Sequence, residues 1–200
     1  MIIPTILLVA TTNRGKAREI RLVLDGLSAD LKVLTDWPDV PAPAETGRTF
    51  AENARLKARY YAGVSGLPTV AEDSGLVIDA LDGRPGVTSA RYPGATYAEK
   101  FAGLYRELGV HPRPWSARFV CALAYVERLE AREPQFACEA HVDGEIADRP
   151  RGQYGFGYDP IFFYAPYGRT LGEVDDATKL AVAHRGQAFR AFRRWWEARR

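Results

Sequence analysis

Cysteine is scarce in this chain of 200 residues, and neither sign of charge dominates. Its two cysteines, Cys121 and Cys138, sit in apolar stretches without metal-ligand spacing, so they read as reduced core residues of a cytoplasmic protein. Twenty-seven basic residues against 25 acidic ones leave a formal net charge of +2, which lacks the one-signed field of a nucleic-acid-coating protein. No nucleic-acid polymer is expected as a partner. Long apolar runs are missing too: the opening stretch Ile2 to Ala10 has no basic leader and is too short to span a bilayer, which argues against a membrane partner. There is no internal repeat and no low-complexity tract. What is present is a chain long enough to bury about 70% of its unfolded surface.

Helices and strands interleave along it. Ile6 to Ala10 predicts a buried strand that breaks into the polar turn Thr11-Thr12-Asn13-Arg14-Gly15-Lys16, after which Ile20, Val23, Leu24 and Leu27 recur at helical spacing. A strand is expected at Leu31 to Leu34, and irregular backbone over the Pro-rich stretch Pro38 to Ala44. Thr49-Phe50-Ala51-Glu52 has capping-box form and predicts a helix to about Ala62, with Asn53 and Lys57 on one face. Thr69 to Ala71 and Leu76 to Ile78 read as short strands on either side of an acidic turn, Ala71-Glu72-Asp73-Ser74-Gly75. A second capping box at Thr96 to Glu99 opens a helix to about Leu108, and strands follow at Ala117 to Val126 and Gln135 to Val142. A Gly-rich loop then delivers Phe156, Tyr158 and Asp159 before a strand at Ile161 to Tyr164. Phe189, Phe192 and Trp196 at i, i+3 and i+7 predict an amphipathic closing helix from Gly186. The pattern is that of an α/β domain.

Four groups of residues carry candidate chemistry. The turn Thr11 to Lys16 offers backbone N–H groups, a helix dipole and the Lys16 charge to phosphate oxygens, although it lacks P-loop spacing and an ordinary helix entry uses the same residues. Glu45, Glu72 and Asp73 suit Mg²⁺, which takes oxygen ligands, but Asp-Ser-Gly after a strand is also plain turn chemistry. Neighbouring side chains of extended backbone point to opposite faces, so Glu72 and Asp73 are expected to divide metal holding and proton removal between them. In Gly155-Phe156-Gly157-Tyr158-Asp159-Pro160 the glycines admit close backbone approach and Phe156 offers a flat face to a nucleobase, unless it is simply a core aromatic. Lys179 with His184 and Arg185 supplies donors for a carbonyl oxygen on a base edge, though basic residues near a helix start are common.

Taken together, these groups closely resemble the inosine/xanthosine triphosphate pyrophosphatase family. The likeness runs through Thr11 to Lys16, Glu45 to Ala54 with Lys57, Ala71 to Leu76, Pro85-Gly86 with Ser89 to Tyr92, Gly155 to Phe162, and His184 to Ala188. The resemblance implies a mixed central sheet flanked by helices, in one two-lobed domain over residues 1–200 with the active-site cleft between the lobes. It implies Mg²⁺-dependent hydrolysis of ITP, dITP and XTP to the monophosphate and pyrophosphate by a homodimer. Residue by residue, it implies that Thr11, Thr12, Asn13, Arg14, Gly15, Lys16 and Lys57 meet the triphosphate. Glu45, Asp73 and Glu72 serve the metal, Asp73 is the general base, and Ser74 touches substrate. Phe156 stacks on the base, Gly157, Tyr158 and Asp159 line its pocket, and Lys179, His184 and Arg185 read its edge. Glu72, Leu180 and Ala183 stand where the family usually has Asp, Asn and Ser. A related septum-inhibitor family opens with a Ser-x-Ser-Pro-Arg-Arg turn, which Thr11 to Lys16 does not match. Trp37, Trp115 and Tyr167 are expected to be exposed and available to a partner surface.

Overall fold

A computed structural model of the protein describes residues 5–34, 40–127, 129–130 and 132–199. The strands are β1 Ile6–Val9, β2 Asp30–Val33, β3 Thr69–Ile78, β4 Ser116–Val126, β5 Phe136–Ile146, β6 Phe162–Tyr164 and β7 Arg169–Thr170. The helices are α1 Arg14–Val23, α2 Phe50–Ser65, α3 Tyr97–Leu108, α4 Asp176–Val182 and α5 His184–Glu197. The strands follow the order β2-β1-β3-β4-β5-β6-β7 in a mixed sheet flanked by helices, an α/β fold. Pairing is parallel for β1 with β2 and with β3, and antiparallel for β5 with β6 and β6 with β7. The chain divides into two compact units, the first comprising Met1–Asp73, Cys121–Ala140 and Arg185–Arg200, the second Ser74–Val120 and His141–His184.

In the first unit, Leu7, Leu8 and Val9 of β1 are enclosed, as parallel strands covered on both faces require, and Ile6 is half-buried. Ala17, Ile20 and Leu24 of α1 share a core with Cys121, Leu123 and Tyr125 of β4 and Ala188, Phe189, Phe192 and Trp196 of α5. Phe189, Phe192 and Trp196 are each 0% exposed, and burial of such a side chain contributes about 1.5–3 kcal/mol. Arg194 is exposed, while Arg193 is half-buried and donates to the Asp25 carbonyl at 2.8 Å. α2 starts where its capping box directs: Thr49 Oγ1 accepts from Glu52 N at 3.1 Å, and Glu52 Oε2 accepts from Thr49 N at 3.2 Å. Ala54, Ala58 and Ala62 form its buried small-residue face.

In the second unit, Phe101, Leu104 and Leu108 of α3 pack with Ala117 and Phe119 of β4, Phe162 of β6 and Leu171. The Thr96 hydroxyl accepts from Glu99 N at 3.2 Å and caps α3. The Asp175 carboxylate accepts from Thr178 N at 2.7 Å and caps α4, a helix not anticipated from sequence.

Several expectations change. No acidic turn exists: Glu72, Asp73, Ser74 and Gly75 lie within the single ten-residue strand β3. Gly75 is absent from the positive-φ residues, so its turn-forming freedom is unused, and β3 is flanked by β1 and β4 in the sheet. The expected strand at Ile161 begins one residue later, after a 3₁₀ turn over Asp159–Ile161, and α5 begins at His184 rather than Gly186. Trp115 is not an exposed aromatic; it is 6% exposed in the second core, and its indole N–H donates to the His111 carbonyl at 3.1 Å. Tyr167 is half-buried and packs edge-on against Tyr164. Trp37 and part of the Pro-rich stretch, Pro38 and Asp39, lie outside the described residues.

Candidate active site

The first unit gathers charge around β3. β1 ends at the turn where Thr11 Oγ1 accepts from Asn13 N at 3.2 Å and Asn13 Oδ1 accepts from Lys16 N at 3.1 Å. Asn13 is thus the N-cap of α1, with the remaining N–H groups of the first turn at the positive end of the helix dipole. That cap turns Lys16 toward β3, where its Nζ lies 2.8 Å from Glu72 Oε1.

Glu72 is buried among cations. Arg185 Nε is 3.6 Å from Glu72 Oε1, and the same guanidinium pairs with Glu19 of α1, which is 0% exposed. Burial pushes the Glu72 carboxyl up, but the charges of Lys16, Arg185 and Lys57 outweigh it and hold the group well below the usual carboxylate range. Burial likewise lowers Arg185, and Glu72 and Glu19 more than restore it. The Cys121 thiol donates to Glu72 Oε2 at 3.6 Å, and burial first, then the Glu72 charge, push that thiol up, which leaves it inert.

Asp73 looks the other way, as alternation along a strand demands. Its Oδ2 accepts from Asn53 Nδ2 at 3.2 Å, and its Oδ1 from Lys57 Nζ at 2.9 Å. Lys57 also donates to Glu45 Oε1 at 2.8 Å. Burial would lower the Lys57 ammonium, yet Asp73, Glu72 and Glu45 raise it, so it stays charged. Asn53 in turn accepts from Gly47 N at 2.8 Å, tying the Glu45 loop to α2. Gly47 has to be glycine here, since a Cβ would stand 2.6 Å from Asn53 Oδ1. The three expected metal acids therefore do not form one cluster: Glu45 and Asp73 converge on Lys57, while Glu72 serves Lys16 and Arg185. Among the described residues no group of three or more His, Cys, Asp or Glu could hold a metal ion.

The second unit carries the aromatic group. Asp159 Oδ2 accepts from Phe156 N at 2.7 Å and closes the loop on itself. A Cβ at Gly155 would collide with the Asp159 carboxylate, and Gly155 has φ +71°, so both space and backbone select glycine. Asp159 pairs with Lys179 of α4, and both side chains are 2% exposed. The Lys179 ammonium stands 4.8 Å from the Phe156 ring centroid, a cation–π distance. Tyr158 donates to the Ser89 carbonyl at 2.8 Å from a buried position, so it supports the loop from below. His184 stacks on Phe119, centroids 4.9 Å apart, and Phe119 on Phe162 at 4.4 Å.

Phe156, Gly157, Tyr158, Asp159, Lys179 and His184 all fall in this unit, as does Ser74, half-buried on β3 directly after Asp73. Arg185, expected at the base edge with Lys179 and His184, instead pairs with Glu19 and Glu72 in the first unit. Thr11 and Thr12 are in the turn that leads into α1, and Arg14 and Gly15 are the first two residues of the helix itself, not of the expected turn. Two residues were missed. Asn53 had a signal, its i, i+4 spacing from Lys57 on a capped helix. Glu19 had none, because an acid within a basic helix reads as a surface pair. No helix among the described residues is long and apolar enough to cross a membrane.

Comparison with known proteins adds a lineage to this geometry. The sequence model described as Ham1 family matches residues 7–195. A dITP/XTP pyrophosphatase of Geobacter sulfurreducens is 48% identical over 187 residues, spanning 92% of this chain and 92% of that protein. One from Geobacillus kaustophilus is 45% identical over 194 residues, 96% of this chain and 94% of its own. Among solved structures, a HAM1 protein from Coxiella burnetii superimposes with a TM-score of 0.89 at 39% identity, covering 98% of this chain and all (100%) of that one.

Proposed function

Because the chain belongs to the Ham1 family, we propose that it hydrolyses the deaminated purine nucleoside triphosphates ITP, dITP and XTP to the monophosphate and pyrophosphate. The observation that carries this reading is the pairing of two lysines with two adjacent acids of one strand, Lys16 with Glu72 and Lys57 with Asp73. Cations from α1 and α2 for phosphate oxygens are thereby brought to a strand that carries a carboxylate for a proton. The relatives are dITP/XTP pyrophosphatases, which supports that substrate class.

The Asn13-capped turn and Lys16 receive the triphosphate, with backbone N–H groups and a full charge aimed at its oxygens. Lys57 stabilises the charge that builds on them as the phosphoanhydride breaks. Asp73 takes the proton from the water that attacks the α-phosphorus. Glu45 and Asp73 fit Mg²⁺, because their oxygens already converge on one cation, the Lys57 ammonium. When bound, Mg²⁺ supplies positive charge that withdraws electron density from the phosphate oxygens.

Phe156 stacks on the base. Lys179, oriented by Asp159, and His184 donate to the oxygen at C6 of hypoxanthine or xanthine. Adenine offers an amino donor there and would leave a buried donor mispaired, a strong basis for rejection. We read the chain as one catalytic domain that works as a cytoplasmic homodimer.

A product assay over a nucleotide panel tests the proposal. ITP, dITP and XTP with Mg²⁺ should yield pyrophosphate far faster than ATP. Orthophosphate as first product would overturn the α-phosphorus assignment, and equal turnover of ATP would overturn the base selectivity.

A further inference from the structure

The two oxygens of Asp73 have partners of different kinds. Oδ2 is held by Asn53, an amide that is 0% exposed and itself fixed through Gly47. Oδ1 is held by Lys57, whose flexible ammonium also reaches Glu45 and whose side chain is 12% exposed. One partner is buried and fixed by a second hydrogen bond; the other is a long, partly exposed side chain.

From this we infer that Lys57 is a resident cation that a divalent ion displaces only when a nucleotide is there to receive the lysine, so that metal and triphosphate load as a unit. The inference rests on the proposed function and deepens it. An ammonium and a divalent ion compete for Glu45 Oε1 and Asp73 Oδ1, since two cations held at that range repel each other. Metal alone would drive Lys57 off the two carboxylates it bonds while it stays largely buried, which is unfavourable. Triphosphate oxygens remove that penalty, because the ammonium exchanges two carboxylates for phosphate. Asn53 meanwhile keeps Asp73 oriented through the exchange. Metal affinity is therefore low in the free protein and rises with nucleotide, and by linkage nucleotide affinity rises equally with metal.

Mn²⁺ binding to the full chain, read from loss of the free-ion paramagnetic resonance signal, tests this without turnover. Wild type should bind Mn²⁺ weakly alone and roughly 5–150-fold more tightly with saturating inosine α,β-imido-triphosphate, the usual span of site coupling. Lys57→Gln should bind Mn²⁺ alone more tightly than wild type and lose most of the nucleotide enhancement. Lys57→Arg, which keeps a cation on the acids, should retain weak binding. If Lys57→Gln, folded by circular dichroism, binds Mn²⁺ alone no better than wild type and Lys57→Arg, the inference is overturned. Failure of wild type to release pyrophosphate from ITP would instead sink the proposed activity and leave the metal-alone arm readable.

Discussion

The charged groups of the two units are buried to different ends. Around β3, Lys16 and Lys57 are 19% and 12% exposed, and the acids they hold have further partners in Arg185 and Asn53. In the loop of the second unit, Lys179 and Asp159 are each 2% exposed, and Phe156 packs against the lysine. In the first arrangement each acid has a second side-chain partner and its lysine is partly open to solvent; in the second, lysine and acid are closed off from solvent together. A site that must admit a polyanion needs cations that can change partners, while a site that must recognise a flat base needs a donor that stays still.

The largest expected effect breaks the first region. Asp73→Asn should lower kcat on ITP by about 10²–10⁴-fold, the range for loss of a general base, with binding of the imido analogue retained. Unchanged kcat would remove Asp73 from the role of base. In the second region, Lys179→Met takes the buried cation away from Asp159 and should destabilise the protein by about 3–5 kcal/mol in urea unfolding. The double variant Lys179→Met with Asp159→Asn should recover part of that loss, and equal destabilisation by both would show that the pair is no more than packing. Phe156→Ala separates the regions more gently. It should weaken ITP binding by about 1–3 kcal/mol while inhibition by inorganic tripolyphosphate, which has no base, stays as in wild type.

The smallest effect is one of pH. Glu72 is held below its ordinary value in the folded protein, so it contributes stability that is present above the unfolded-state pKa of about 4.3 and is lost as pH falls below it. Urea midpoints measured between about pH 6 and pH 3 should fall more steeply for wild type than for Glu72→Gln, in which this acid no longer titrates. Parallel slopes would mean that Lys16 and Arg185 do not hold the carboxylate as the geometry indicates.

Much of the molecule was legible because the signals were local. A capping box needs only four residues, and Thr49 and Glu52 make both of its bonds. The i, i+3, i+7 aromatics of α5 are all enclosed, and the break from apolar β1 announced a helix, although α1 begins at Arg14, inside the expected polar turn. The errors came where a distant neighbour overrode a local preference. Asp-Ser-Gly favours a turn in isolation, but in-strand backbone with sheet neighbours on both sides holds it straight. Trp115 has no local pattern to mark it as core, and the second unit encloses it all the same.

The order of the motifs by itself determined the α/β class, the family and the identity of nearly every candidate residue, since cap chemistry, helical period and glycine placement act within a few bonds. Tertiary structure alone decided which charges meet. Glu19 and Arg185 are far apart in sequence yet share an ion pair, and the strand's alternation, not residue type, sends Glu72 to Lys16 and Asp73 to Lys57. Electrostatic partners are set by distance in space, and only the assembled sheet and helices supply that distance.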